Sequence, residues 1–72
     1  MKFQVIFTYD SDFEGYVAEV PDLPGCFSQG KSVEEATENI TDAIKGVLAV
    51  MEMHGEKFEP TSHPAFIGEI AV

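Results

Sequence analysis

The sequence predicts an α+β fold of two layers, in which one helix lies on a four-stranded mixed sheet and the elements run β-β-β-α-β. Three observations predict it. Apolar residues alternate along residues 2–10, a capping-box spacing at Ser32 and Glu35 opens a long run of helical periodicity, and an apolar stretch follows two prolines near the end of the sequence.

Each element follows from local chemistry. Along residues 2–10, Phe3, Val5, Phe7 and Tyr9 fall on one face and Lys2, Gln4, Ile6 and Thr8 on the other, which is the period of a strand. Asp10-Ser11-Asp12-Phe13-Glu14-Gly15 is rich in turn formers and connects a hairpin whose second strand spans residues 16–20. Pro21 lacks a backbone donor and ends that strand. In Leu23-Pro24-Gly25-Cys26, Pro at the second position and Gly at the third favour a type II turn, because the third position needs positive φ. A short strand over residues 26–29 follows, closed by Gly30.

Ser32 and Glu35 then start a helix from about Val33 to Met53: the Ser32 hydroxyl accepts from the Glu35 amide and the Glu35 carboxylate reaches back. Ala36, Ile40, Ala43, Ile44, Val47, Leu48 and Met51 share one face, and Gly55 is placed to stop it. Residues 56–64 read as a connector containing Pro60 and Pro64, and residues 65–72 as a last strand reached by a right-handed crossover. Ile6, Val17 and Ile67 lie out of phase with Phe7, Tyr16 and Phe66, so both sheet faces carry apolar groups. One helix covers one face, and the other is expected to meet a second subunit or a partner.

Composition limits the function classes. Seventy-two residues predict a single domain over 1–72 with a small core, which self-association would help to stabilise. Thirteen acidic residues against four basic ones give a net charge of −9, which works against direct nucleic-acid binding and points either to a basic partner or simply to solubility. Cys26 is the only cysteine, so an internal disulfide and a cysteine metal cluster are excluded and an intracellular site is favoured. The sequence shows no signal-peptide pattern and no stretch near the ~20 apolar residues of a membrane span, so a cytoplasmic protein is expected.

Glu19-Val20-Pro21-Asp22-Leu23-Pro24-Gly25-Cys26, then Gly30, then Ser32-Val33-Glu34-Glu35-Ala36 and Asn39, resembles the hallmark stretch of HicB-like antitoxins. The aromatic first strand, Tyr16-Val17-Ala18 and the helix through Leu48 extend the likeness over nearly the whole chain. The resemblance implies a partial ribonuclease-H-like fold of β-β-β-α-β order, and a partner of the HicA type, a small basic ribonuclease toxin that is neutralised by covering its RNA-binding and catalytic surface. Many members of that family add a C-terminal DNA-binding segment. With the sequence ending at Val72, operator binding by this chain is not expected.

Candidate binding residues fall in three places. Glu34, Glu38 and Asp42 lie at i, i+4 and i+8 on the helix, a like-charge stripe that opposes the helix by roughly 0.2 to 0.5 kcal/mol per pair. It reads either as a contact for toxin Lys and Arg or as a solvated face favoured by the N-terminal dipole. Asp10, Asp12 and Glu14 crowd the first hairpin, with Phe13 between them as a possible exposed anchor, and Asp22 and Leu23 sit in the 21–25 loop as shape contacts. A hairpin metal site lacks the distal bidentate Glu of a calcium loop. Asp10, Glu38 and Glu69 would be the carboxylates of a vestigial two-metal nuclease, the rival reading, and a stand-alone oligomeric scaffold is a third. His54 and His63 match no zinc spacing, Cys26 has no identifiable activating base, and Met51 and Met53 read as packing residues. No catalytic residue, metal or cofactor is assigned.

Overall fold

A computed structural model describes residues 2–56 and 68–72, and shows β1 (Ile6–Asp10), β2 (Gly15–Glu19), β3 (Phe27–Gly30) and α1 (Val33–Met53) in that order. The strands form one antiparallel sheet in the order β1-β2-β3. Tyr9, Tyr16 and Gly30 lie side by side across it, as do Phe7, Ala18 and Ser28.

The two connections form as their residues dictate. Asp10 Oδ1 accepts from the Asp12 amide at 2.9 Å and the Phe13 amide at 3.2 Å, folding the first turn on its own side chain. Glu14 then takes a left-handed φ of 57°, the single non-glycine to do so among the described residues. In the second connection the Cys26 amide donates to the Leu23 carbonyl at 2.9 Å and Gly25 has φ of 81°, as the Pro-Gly pair predicts. Val20 and Cys26 pair through a 3.0 Å backbone bond and carry the sheet one step past β2.

Ser32 caps α1, its Oγ accepting from the Glu35 amide at 3.1 Å. The Glu35 carboxylate reaches one residue further back than expected, to the Lys31 amide at 3.2 Å. At the other end the Gly55 amide donates to the Glu52 carbonyl and the Glu56 amide to the Met51 carbonyl, with Gly55 at φ 74°. This pair of bonds closes the helix and satisfies carbonyls that would otherwise be unpaired.

The core consists of Ala18, Val20, Leu23, Cys26, Ala36 and Ile40, with Phe3, Val5, Tyr16 and Ala43 packed around it. Small residues make the layers fit. A Cβ on Gly30 would lie 2.8 Å from the Glu35 carbonyl carbon and closer still to the Ala36 amide nitrogen, so the first turn of α1 rests directly on β3. Asn39 Nδ2 donates to the Gln29 carbonyl at 2.8 Å and fastens the helix to the same strand. With 21 residues α1 is about 31 Å long, whereas strands of four or five residues reach about 17 Å, so its second half extends beyond the sheet.

Two expectations are corrected. The sheet has three antiparallel strands, not four mixed ones: residues 68–72 are exposed and form no strand, while Ala65, Phe66 and Ile67, with the prolines of the connector, lie outside the described residues. Apolar composition offers a surface to bury, but a strand also needs a neighbour for its backbone groups, and residues 68–72 join no ladder among the described residues. In addition, Phe7 and Tyr9 share the helix side of the sheet yet remain 39% and 57% exposed, because α1 sits over β3 and β2 and leaves β1 at the edge. The opposite face, with Ile6, Val17 and Phe27, has no second layer among the described residues, and Phe27 is 66% exposed.

Two predictions follow from this packing. Gly30→Ala will destabilise the chain by about 1–3 kcal/mol, seen as a lower urea midpoint, since the added methyl meets helix backbone that cannot turn aside; an unchanged midpoint refutes the close approach. Burial pushes the Cys26 thiol above its ordinary value of 9.0, so the folded chain keeps a proton that the unfolded chain releases. That contribution is complete below 9.0 and declines as pH rises beyond it, and Cys26→Ala should flatten the alkaline fall in stability measured by urea titration.

Candidate partner-binding surface

The structure distributes the predicted contact residues between supporting and exposed positions. Asp10 is half-buried and its Oδ1 is engaged by two backbone amides, so it shapes the hairpin from within. Asp12 and Glu14 are exposed at the tip. Phe13 does not project as an anchor: it is half-buried, with Lys31 Nζ 3.8 Å from its ring centroid and donating to its backbone carbonyl. Gly15 leaves room for that ring, which would stand 2.7 Å from a Cβ there. Phe13 and Lys31 together brace the hairpin against the start of α1.

Leu23 is corrected as well. It is buried in the core, where it holds the 21–25 loop from beneath, and the surface of that loop is made by Pro21, Pro24 and Gly25 with half-buried Asp22. The cause is the tight backbone pairing of Val20 with Leu23 and Cys26, which turns the leucine inward.

Glu34, Glu38 and Asp42 are all exposed, on a row that advances one helical turn at a time. Four-residue steps turn about 40° each around a helix, so the apolar groove of about 480 Å³ lined by Ala43, Gly46, Val47, Val50 and Met51 lies on a different side of α1 from Glu34 and Glu38. Ala43, Val47 and Met51 pack against the core as the helical periodicity implies, and being only half-buried they also border the groove, whose exposed members Gly46 and Val50 the sequence reading did not single out. Lys31 and Asn39 were also missed as structural ties, because only the folded chain brings them to Phe13 and Gln29.

The remaining candidates are dispersed. Among the described residues no group of three or more His, Cys, Asp or Glu side chains is placed to hold a metal ion, so Asp10, Glu38 and Glu69 do not converge. His54 caps α1 through its backbone amide, which donates to the Val50 and Met51 carbonyls, and His63 lies outside the described residues. Cys26 is buried with its thiol pushed towards the protonated form, the reverse of nucleophile activation. Among the described residues no helix is long and apolar enough to cross a membrane.

Comparison with known proteins bears on what such a surface is for. A family profile described as "HicB_like antitoxin of bacterial toxin-antitoxin system" matches residues 3–69. The chain is 49% identical over 57 residues to a UPF0150 protein of Thermoplasma acidophilum, covering 79% of this chain and 81% of that one. It is 44% identical over 50 residues to a UPF0150 protein of Archaeoglobus fulgidus, covering 69% and 71%. An uncharacterised 14.9 kDa protein of Haemophilus phage HP1 is 43% identical over 51 residues, which are 71% of this chain and 38% of the phage protein. Through a profile match that takes in the three-stranded sheet and all of α1, the chain belongs to the HicB-like antitoxin family of bacterial toxin–antitoxin systems.

Proposed function

We propose that this chain is a non-enzymatic, intracellular antitoxin that binds a small basic ribonuclease toxin of the HicA type and covers its RNA-binding and catalytic surface. One observation carries the reading: a chain of net charge −9 presents Glu34, Glu38 and Asp42, all exposed, along one row of a helix set rigidly on its sheet. A toxin surface built to hold phosphates is rich in Lys and Arg, and fixed carboxylates compete for the same cations. The antitoxin needs no catalytic group for this; it needs area and complementary charge. The bare sheet face bearing Ile6, Val17 and Phe27 supports self-association into a homodimer or higher oligomer, which leaves α1 free for the toxin.

Co-expression with the adjacent small basic reading frame tests the proposal. The toxin should co-purify, and growth should be rescued. The variant Glu34→Gln, Glu38→Gln, Asp42→Asn should slow association by about tenfold at low salt and flatten its salt dependence, with little change in dissociation rate. A neighbouring toxin that neither binds nor is neutralised ends the antitoxin reading. Unaltered association kinetics in the triple variant remove the helix row from it.

A further inference from the structure

The backbone phase of the sheet shows which groups β3 presents outward. Val20 donates to the Cys26 carbonyl at 3.0 Å, one step beyond the pair of Glu19 and Phe27, and hydrogen-bonded pairs alternate with non-bonded ones along an antiparallel ladder. Ala18 and Ser28 are therefore the next bonded pair and Tyr16 and Gly30 the one after, whereas Phe27 and Gln29 turn both N–H and C=O away from β2. Among the described residues β3 ends the sheet, so these groups form its outer edge. Asn39 on α1 takes one of the two outward carbonyls: its Nδ2 donates to Gln29 at 2.8 Å.

An edge of this kind is a template for another strand. Natural sheets blunt theirs with Lys, Pro, a bulge or a very short strand. Phe27-Ser28-Gln29-Gly30 is short, but it carries neither charge nor proline, and Phe27 is 66% exposed. Lys31, the next cation in the chain, is turned away to the ring and carbonyl of Phe13. Two copies meeting at β3 would set no charge of one strand against the other, and repulsion between the remaining charges is screened beyond about 8 Å at physiological salt.

The pairing that uses both outward residues of each copy runs antiparallel about Ser28, with Phe27 of one copy opposite Gln29 of the other. Each such pair exchanges two bonds, and one of the two ends on a Gln29 carbonyl. Asn39 occupies the place of the donor in that bond, and α1, seated against Gly30, holds its amide over the edge. One asparagine per copy thus obstructs both pairs. We propose that Asn39 is an edge guard, which bars a second copy of this chain from extending the sheet at β3. The proposal concerns self-assembly and stands whether or not the partner is a toxin.

The test compares the full chain with Asn39→Ala, which removes the donor and suits a helix, by sedimentation over a concentration series and by amide hydrogen exchange. The expected result is an assembly of about twice the mass of the unaltered chain, because edge pairing about a two-fold axis joins two equivalent surfaces. New protection at the Phe27 and Gln29 amides should grow with concentration in parallel. Asn39 also fastens α1 to β3, so loss of stability needs its own control. Ile40→Val weakens the same turn from within the core without touching the edge, and it should leave the mass unchanged. Asn39→Ala with the mass and exchange of the unaltered chain would overturn the proposal, as would equal association in Ile40→Val or association that leaves Phe27 and Gln29 unprotected. Concentration-dependent protection of those two amides in the unaltered chain would overturn it as well, since the edge would then be paired with its guard in place.

Discussion

The contact between Gly30 and the backbone of Glu35 and Ala36 sets the geometry of the rest of the molecule. A helix normally stands off a sheet by the thickness of its side chains, but here glycine on β3, with Ala18 and Ala36 beside it, lets the first turns settle against the strand. That close seat is reinforced from both sides, by Ser32 and Glu35 at the cap and by Asn39 on the Gln29 carbonyl. With the start of α1 fixed, its direction follows, and with it the position of every carboxylate on its outer surface. A core of six small and medium residues suffices because the two layers meet so closely.

Much of this was legible in the sequence, and the limits are instructive. The cap at Ser32, the stop at Gly55, the turn at Pro24-Gly25 and the bounds of α1 were all readable, because each depends on residues only a few positions apart. The last strand was not, since alternation and apolar content cannot specify which edge, if any, supplies the backbone partner for residues 68–72. Leu23 and Phe13 were misread for a related reason. Whether an apolar side chain in a loop faces in or out is decided by distant residues, the Val20 to Cys26 pairing in one case and Lys31 in the other. The groove bordered by Gly46 and Val50 was not legible, because how much of an apolar helical face the sheet covers depends on where the short strands end.

The surfaces divide by chemistry. The sheet face opposite α1 carries Ile6, Val17 and Phe27, with Glu19 between Ile6 and Phe27 and with Thr8 and Gln29 beside Val17. The helix carries Glu34, Glu38 and Asp42 exposed on one side and a separate apolar groove on another. On the proposed reading, self-association and partner capture would use different faces of the domain. Lys31 shows how sparingly the cations are used: it is spent internally, on the ring and carbonyl of Phe13.

The unequal support of α1 also grades its resistance to opening. Ala36 and Ile40 in its first half are buried, whereas Val47 and Met51 further along are half-buried against the core and Met53 is 84% exposed beside the lock at Gly55 and Glu56. Fraying from that end needs far less free energy than melting the whole domain, which exposes the peptide bonds there to cellular proteases. A partner that binds only the folded chain raises the free energy of such opening by mass action, so occupancy and resistance to proteolysis would rise together.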